Sequence, residues 1–303
     1  MHNYYKIYGL NIKSELKLSY LEELNENERS NIDIEISYGK IPKKFLDAHK
    51  INGDIDLDGE EMCMEIGNLA RYHIKNGKYI TVEAINKNKH ERIEAFLLGR
   101  AFSILLYQRR SIVIHGSTIF NNEKLGGSII ISGSSGAGKS TLSTKFIESG
   151  YKMLADDISV IELEKGEVNV LPAVGVQKIC GDIVDYFRCN KDRLVKITGG
   201  RDKYYYDRKE EFINKKQKLK SIIILESDDN VSKVELIELN GLEKLRLTMI
   251  NIFGITYINR MGICPKYLED IIYLINSINV YKLIRPTKKI TVDEQLKKIK
   301  EVV

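Results

Sequence analysis

The chain has 303 residues, of which 43% are hydrophobic and 29% charged, and its formal net charge is +5 at pH 7. This length predicts about two domains with cores of their own, and so mild a charge without a nucleic-acid-binding module argues against a nucleic-acid partner. Because no run approaches the length of a membrane helix and no apolar signal segment opens the sequence, we expect a cytoplasmic protein without a membrane partner, whose four cysteines are free thiols.

Residues 1–108 predict a small β-rich α+β domain. Asn76-Gly77 is typical of a hairpin turn, and residues 91–108 carry one broad apolar face, which predicts a helix leading into the next domain. We favour a role of this domain in docking a peptide by strand addition. The alternatives are that it covers the next domain or forms an oligomer interface. Strand-like runs separated by turn residues are expected at Tyr4–Leu10, Ile32–Ser37, Met62–Ile66 and Tyr79–Val82.

Residues 109–303 predict an α/β domain that opens with two buried strands. Ile112–Ser117 is an apolar run with His115 near its end, and Ser128–Ile131 is typical of a buried parallel strand. A histidine at such a strand end is either a hydrogen-bonded core residue or a site group that contacts a carboxylate or a phosphate oxygen.

A phosphate-binding loop motif follows the second strand. The glycines of the motif allow backbone N–H groups to point at phosphate oxygens. Lys139 places a charge near the β- and γ-phosphates, and the hydroxyl of Ser140 is a candidate ligand of Mg²⁺. The predicted helix after it includes Thr141, ends near Gly150 and directs its N-terminus at the same anion. The pattern G-x-x-x-x-G-K-[ST] is met by Gly133, Ser134, Ser135, Gly136, Ala137, Gly138, Lys139 and Ser140.

An acidic pair ends the next predicted strand. Asp156 and Asp157 follow the run Tyr151–Ala155, at the edge where an α/β sheet binds its ligand. Only one helix separates Lys139 from the pair, and this compact order favours a kinase over switch GTPases and motor ATPases. One aspartate is expected to hold Mg²⁺ and the other to accept a proton from an attacking hydroxyl, unless one of them only caps a turn.

Further positive charge for the transferred phosphoryl group is expected at Arg201, Lys203 and Arg208, and more weakly at Arg285 before Pro286. The first three lie around segment 199–206, whose glycines, basic residues and tyrosines are typical of a mobile active-site loop. A solvated surface loop is the alternative.

The remaining elements complete an α/β sheet. Residues 158–171 predict a β-hairpin with its turn at 164–167, and Thr291 and Glu294 predict a capping box that opens the last helix. Strands are also expected at 221–225 and 280–284, and helices at 242–250 and 267–278.

Together these motifs resemble the catalytic domain of bacterial HPr kinase/phosphorylase. They resemble still more closely the HPr-kinase-related proteins of peptide-modifying and lasso-peptide gene clusters, and more distantly ATP-dependent phosphoenolpyruvate carboxykinase. The resemblance is sharpest over residues 112–163, where His115-Gly116, the loop, Gly150-Tyr151 and Ala155-Asp156-Asp157 follow in order. Residues 171–178 lack the glutamate-containing signature of HPr kinase, so we expect neither phosphorylase activity nor HPr as the substrate. Pro172 and Lys178 match instead the proline-containing strand and the basic residue of the related branch.

The resemblance implies a fold, cofactors and residue roles. It implies an α/β P-loop kinase domain of the HPr kinase/phosphoenolpyruvate carboxykinase type, which binds ATP through residues 133–141 and Mg²⁺ through Ser140 and Asp157. Asp156 matches the general base of the family and His115 its active-site histidine, with Lys139 and Asp157 completing the catalytic set. The HPr kinases assemble as hexamers, so a homo-oligomer is a further expectation.

The predicted function is an ATP- and Mg²⁺-dependent phosphotransferase that moves the γ-phosphoryl group to a serine hydroxyl of a peptide or small protein. In its sharpest form, the acceptor is the C-terminal serine of a lasso-type precursor peptide. Two alternatives stay open: a nucleotide-gated binding protein with weak ATPase activity, and a kinase of a small hydroxylated metabolite.

Overall fold

The computed structural model describes residues 2–46, 55–58, 61–197 and 202–303. These residues divide into two compact units. The first runs from the N-terminal residues to Ser111 and adds Gly254–Ile263, and the second comprises Ile112–Phe253 and Cys264–Val303. Both units combine helices with β-sheet, so the chain has a mixed α/β fold with several sheets.

One eight-stranded sheet forms the centre of the first unit. Its strands are β1 (Asn3–Ile7), β2 (Leu10–Ser14), β3 (Glu22–Glu23), β4 (Ile34–Tyr38), β5 (Ile55–Asp58), β6 (Glu61–Ile66), β7 (Ala70–Lys75) and β8 (Tyr79–Ala84). Their order across the sheet is β3-β1-β2-β4-β8-β7-β6-β5. Strand β4 pairs in parallel with β2 and β8, and the other described pairings are antiparallel.

Two of the tight turns in this sheet bear on the predictions, and only one of them is predictable from the sequence. Asn76 and Gly77 have φ values of 55° and 60° between β7 and β8, so the predicted hairpin is confirmed. The single strand predicted over Tyr4–Leu10 is wrong, because Tyr8 and Gly9, with φ values of 52° and 73°, turn the chain between β1 and β2. A tyrosine rarely adopts a positive φ, so the sequence carries no strong signal for that turn.

The helix predicted over 91–108 is confirmed in position but is not uniform. It consists of α1 (His90–Phe96), a π-helical turn over Leu97–Ala101, and α2 (Phe102–Gln108). Ile93 and Leu105 are among the fully buried side chains of its apolar face.

The second unit contains a large sheet and a small one. In the large sheet, β10, β17 and β19 run parallel, and β9 pairs antiparallel with β10, β11 and β12. The large sheet consists of β9 (Ile112–Asn121), β10 (Gly127–Gly133), β11 (Lys152–Ala155), β12 (Ile158–Glu164), β13 (Glu167–Leu171), β17 (Gln217–Asp228), β18 (Glu235–Glu238) and β19 (Asn279–Pro286). The small sheet consists of β14 (Val176–Cys180), β15 (Leu194–Lys196) and β16 (Lys203–Asp207), with β16 in the middle.

Seven further helices follow in the described part of the chain, and all of them except α7 lie in the second unit. They are α3 (Asn122–Leu125), α4 (Lys139–Glu148), α5 (Gly181–Phe187), α6 (Gly241–Ile250), α7 (Ile255–Met261), α8 (Pro265–Ser277) and α9 (Val292–Lys300). Leu142 and Phe146 of α4 share one buried cluster with Leu296 of α9 and with Ile131 and Ile223 of the sheet. This cluster fixes α4 on the sheet through side chains whose β-branched and apolar character the sequence shows directly.

Two predictions for the second unit need correction. Residues 203–206 do not form a loop but belong to β16, which pairs with β14 along one edge and with β15 along the other. Gly199, Gly200 and Arg201 lie outside the described residues. The capping box at α9 is also wrong. Glu294 accepts the Val234 N–H at 3.1 Å, so a backbone group just before β18 occupies the carboxylate that a cap would need.

The other expected elements are confirmed. The predicted hairpin is β12 and β13, with Lys165 and Gly166 in its turn at φ values of 50° and 82°. No helix in the described ranges is long and apolar enough to cross a membrane. The four cysteines form no disulfide.

Candidate functional site

A glycine-rich loop joins the carboxyl end of β10 to the first turn of α4. Gly133 has a φ of 135°, and a Cβ on it would lie 2.5 Å from the Leu225 carbonyl oxygen of β17, so the strand leaves room only for glycine. Gly138 precedes α4 with a φ of 108°, a value that other residues rarely adopt. The fold therefore requires glycine at two positions of the sequence motif.

The loop ends where the unpaired N–H groups of a helix begin. Ala137 is buried and donates its N–H to the Ser134 carbonyl oxygen at 3.2 Å, whereas residues 134–136 are exposed. Ser140 and Thr141, in the first turn of α4, are half-buried. Backbone N–H groups and the positive end of the helix dipole thus meet at one accessible place, which suits an anion.

Lys139 turns its ammonium group back over this loop. Its Nζ donates to the carbonyl oxygens of Gly133 at 2.8 Å and Ser134 at 3.0 Å. Burial lowers the pKa of Lys139, while the charges of Asp157 and Asp156 act to raise it. Lys139 and the acidic pair therefore share one electrostatic environment.

Arg285, at the end of β19, contacts the loop from the other side. Its Nε donates to the Ala137 carbonyl oxygen at 3.0 Å and its Nη1 to the Pro286 carbonyl oxygen at 3.1 Å. Because β10, β17 and β19 are parallel, their carboxyl ends meet at one edge of the sheet and bring Arg285 beside Gly138. Arg285 is the weakest of the four cations that the sequence suggests for the phosphoryl group, yet it contacts the loop directly.

Asp156 follows β11 and is held by two donors from distant strands. The Ser117 hydroxyl of β9 donates to its Oδ1 at 2.6 Å, and the Lys178 backbone N–H of β14 donates to its Oδ2 at 2.8 Å. Burial, and then the adjacent charge of Asp157, raise the pKa of the Asp156 carboxyl. The result is a fixed carboxylate that accepts a proton more readily than an ordinary aspartate does.

Asp157 has the opposite electrostatic character. Its φ of 68° is unusual for a residue other than glycine and directs its carboxylate to Lys178, whose Nζ lies 3.0 Å from Oδ2. Burial alone acts to raise the pKa of Asp157, but the charge of Lys178, the largest of the opposing effects, outweighs it and lowers that pKa. Asp157 therefore holds its negative charge more firmly than Asp156 does.

His115 contacts the same residue from β9. Its Nδ1 lies 3.0 Å from the Asp157 carbonyl oxygen, which can only accept, so this nitrogen carries the hydrogen. Nδ1 is also 3.6 Å from Asp157 Oδ1, and the ring meets Phe253 edge-on at 5.3 Å. Burial, and then the charge of Lys139, lower the pKa of His115, which favours a neutral ring at pH 7.

The residues predicted to bind the transferred phosphoryl group lie in different environments. Lys203, on β16, acts electrostatically on Lys139 and Asp157, since its charge lowers the pKa of both. Arg208 is 1% exposed, and its Nη1 lies 2.9 Å from Glu148 Oε1, so its charge is engaged inside the protein. Arg201 is outside the described residues.

The structure thus brings five predicted site residues together and leaves Arg208 apart from them. Two further residues, which were not assigned a role in the site, join the five. Hydrogen bonds or electrostatic effects connect Lys139, Asp156, Asp157, His115 and Lys203. Ser117 and Lys178 complete the surroundings of the aspartates. The predicted strand ends at Ser117, whereas β9 continues to Asn121, and the position of β9 beside the aspartates follows only from the topology.

A cavity of about 320 Å³ opens beside the first turn of α4. It begins at Gly138 and Thr141 and extends between α5 and the segment after β19. Its wall includes the half-exposed ring of Tyr186 and the exposed side chain of Ile290, and Arg285 lies at its edge. Apolar and aromatic walls with nearby cations are typical of a site for a flat, partly charged ligand.

Within the described part of the chain, no group of three or more His, Cys, Asp or Glu side chains converges to hold a metal ion. No protein-family model and no curated protein matches the sequence. Among solved structures, the HPr(Ser) kinase/phosphatase from Coxiella burnetii is similar at 14% identity, over 63% of this chain and 92% of that one, with a TM-score of 0.33.

Proposed function

We propose that the protein is an ATP-dependent kinase that transfers the γ-phosphoryl group to a serine hydroxyl of a peptide or small protein. The observation that carries the proposal is Asp156, a fixed carboxylate that shares its electrostatic surroundings with Lys139 of the glycine-rich loop. A phosphate-binding loop beside a proton acceptor is what phosphoryl transfer to a hydroxyl requires. The resemblance of the motifs to HPr-kinase-related proteins supports the same activity.

In this proposal, the loop and α4 bind the triphosphate. The N–H groups of residues 133–141 contact phosphate oxygens at the helix N-terminus, and Lys139 exchanges its two loop carbonyl partners for the β- and γ-phosphates. Arg285, which is held against the same loop, adds a second cation. Transfer is favoured because these charges are in place before the reaction begins.

Asp156 serves as the base. The serine oxygen attacks the γ-phosphorus, and the O–P bond forms as the bond from that phosphorus to the β–γ bridging oxygen breaks. The serine proton passes to Asp156, and ADP is the leaving group. Burial raises the pKa of Asp156 and so strengthens it as a base, while Ser117 and the Lys178 N–H fix its orientation.

The residues present also fit Mg²⁺. Ser140 supplies a half-exposed hydroxyl in the first turn of α4, and Asp157 supplies a carboxylate that the charge of Lys178 keeps ionised. Both are hard oxygen donors, and Mg²⁺ needs few protein ligands because it retains water and phosphate oxygens. When bound, the ion would neutralise charge that develops on the phosphates.

The cavity beside Thr141 is suited to the base and ribose. It starts where the loop would hold the α-phosphate, and Tyr186 and Ile290 offer faces for a flat ring. A nucleotide that lies along α4 would therefore place its base in the cavity and its γ-phosphate toward Asp156.

The acceptor is the part of the proposal that rests on resemblance alone, and it has a direct test. Transfer from γ-labelled ATP with Mg²⁺ is measured to peptides ending in serine, to peptides with internal serine, and to hydroxylated metabolites. We expect label on a serine peptide. Label on metabolites only would replace the peptide acceptor, and nucleotide binding without transfer to any acceptor would favour a nucleotide-gated binding protein.

A further inference from the structure

We infer that Gln177 and Arg208 are positioning residues that fix α4, which carries the glycine-rich loop, against β14, which contacts both aspartates. The inference deepens the function proposed above and rests on it for its effect on rate. Neither residue touches the candidate reacting groups, so both would act through their neighbours.

The candidate site is assembled from two sheets, and their relative position is therefore decisive. Lys139 and Ser140 begin α4, which packs on the large sheet. Lys178 belongs to the small sheet and bonds Asp156 through its backbone and Asp157 through its ammonium group. A shift of β14 relative to α4 would change the distance between the phosphate-binding loop and the proton acceptor.

Gln177 bridges these two elements. It is fully buried, and its Nε2 donates to the Ser143 hydroxyl of α4 at 2.9 Å. Its Oε1 accepts from Arg208 Nε at 3.1 Å. Because a guanidinium can only donate, the amide oxygen must face Arg208 and the amide nitrogen must face Ser143, which defines one orientation for the bridge.

The hydroxyls of α4 are arranged to receive this bridge. Ser143 accepts from Gln177 while its own hydrogen points to the Ser140 carbonyl oxygen at 3.2 Å. The Thr144 hydroxyl lies 3.4 Å from Gln177 Oε1 but 2.7 Å from the Ser140 carbonyl oxygen, and the shorter contact takes its single hydrogen. The bridge therefore reaches the turn of α4 that begins with Ser140.

Arg208 adds a second attachment to the same helix. Its guanidinium lies over the Tyr206 ring at 4.0 Å and donates to Glu148, the last residue of α4. Ser143 and Glu148 are separated by about 7.5 Å along a helix axis. Two attachments at this separation fix the direction of α4 as well as its position.

The alternation of a β-strand then transmits the constraint. Successive side chains of a strand point to opposite faces, so Gln177 reaches α4 while Lys178 reaches Asp157. Because the Gln177 amide is buried, any movement of α4 that breaks its hydrogen bonds would cost free energy. The sequence suggests Arg208 as a phosphate ligand, but its buried guanidinium instead bonds Gln177 and Glu148.

The test compares Gln177→Leu with Gln177→Glu. Leucine fills a similar volume without hydrogen bonds, whereas glutamate still accepts from Arg208 and from the Ser143 hydroxyl. For Gln177→Leu we expect faster amide hydrogen exchange in residues 139–148 and 176–180, and a kcat lowered by about 10- to 100-fold with little change in Mg-ADP affinity. Gln177→Glu should restore much of the rate.

The control is Tyr72→Phe in the first unit, which removes a buried hydroxyl that donates to the Ile93 carbonyl oxygen at 2.9 Å. It should leave exchange in both segments and kcat unchanged. If amide hydrogen exchange in both segments of Gln177→Leu matched the wild type, the inference would be overturned whatever the activity. If exchange were faster but kcat stayed at the wild-type value, the proposed effect on rate would be overturned. A wild-type protein without transfer would refute the proposed function, while exchange would still decide whether Gln177 fixes α4.

Discussion

Asp156 and Asp157 are neighbours in the sequence, yet the fold moves their pKa values in opposite directions. Asp156 receives neutral donors, the Ser117 hydroxyl and the Lys178 N–H, and burial raises its pKa. Asp157 receives the Lys178 ammonium group, which helps to lower its pKa against the effect of burial. Two carboxyls with separated pKa values are suited to different tasks, one to accept a proton and one to remain charged.

Removal of the Lys178 charge should expose this dependence. In Lys178→Met, Asp157 loses its ammonium partner, and we expect the free energy of unfolding at pH 7 to fall by about 1–2 kcal/mol. The loss is smaller than for a fully buried pair because the two side chains are 34% and 35% exposed. Urea unfolding followed by circular dichroism measures it.

Lys196→Met is the matched control, because Lys196 pairs with Asp202 at 3.2 Å on the surface. We expect a change within about 0.5 kcal/mol there. Equal effects of the two substitutions would show that Lys178 has no special role in holding Asp157.

The acidic pair itself was predictable, since two carboxylates directly follow an apolar run. The different environments of its members were not. Ser117 and Lys178 come from 39 and 22 residues away from Asp156, and such distances give no local pattern. Local spacing identifies a candidate group, whereas its protonation depends on strands that only the topology brings near.

At the scale of elements, the success of prediction follows the strength of the local signal. Continuous β-branched runs became β10 and β17, and Asn76-Gly77 became a turn, because each pattern has one favoured backbone. The small sheet was not predicted, because the glycines and charged residues before β16 favour a loop although its three tyrosines favour a strand. Its partners on β14 lie about 27 residues away, so no local pattern indicates the pairing. The expected cap at Thr291 failed for the same reason, as a distant N–H took Glu294.

The glycine-rich loop makes the clearest prediction at this scale. In Gly133→Ala, the new methyl group would approach the Leu225 carbonyl oxygen, and the φ of 135° would be strained. We expect a loss of about 2–4 kcal/mol in the free energy of unfolding, measured by urea unfolding.

Gly150→Ala separates the two causes, because Gly150 has a φ of 87° but no atom within 4 Å of the position that an alanine methyl group would take. Backbone strain alone should cost about 1 kcal/mol there. A loss for Gly133→Ala no larger than this would mean that β10 and β17 do not approach as closely as described.

At the scale of the whole molecule, the two units are not separated at a single position in the chain. Gly254–Ile263 belongs with the N-terminal residues although it is flanked by segments of the second unit. A sequence-based boundary near residue 108 cannot anticipate such an excursion, because α7 carries no signal that distinguishes it from its neighbours. Any fragment that ends near residue 111 would lack part of the first unit.

Tyr107 tests this assignment within the first unit. Its hydroxyl donates to the Gly262 carbonyl oxygen at 2.6 Å across 155 residues of sequence. Tyr107→Phe should lower the free energy of unfolding by about 0.5–1.5 kcal/mol and speed amide exchange in residues 255–261. Tyr79→Phe, on a ring that is 41% exposed, is the control, and equal exchange in both variants would contradict the attachment.

Phosphoryl transfer by Asp156→Asn decides whether Asp156 is the base. Transfer from γ-labelled ATP to a serine peptide and binding of Mg-ADP are measured across pH for the wild type, Asp156→Asn and Asp229→Asn, which alters an exposed carboxylate. Because burial raises the pKa of Asp156, wild-type transfer should fall on the acid side at a higher pH than an ordinary aspartate would give. Asp156→Asn should lose about 10²- to 10⁴-fold in rate and keep its nucleotide affinity, and Asp229→Asn should match the wild type. Wild-type transfer by Asp156→Asn would contradict the assignment of Asp156 as the base.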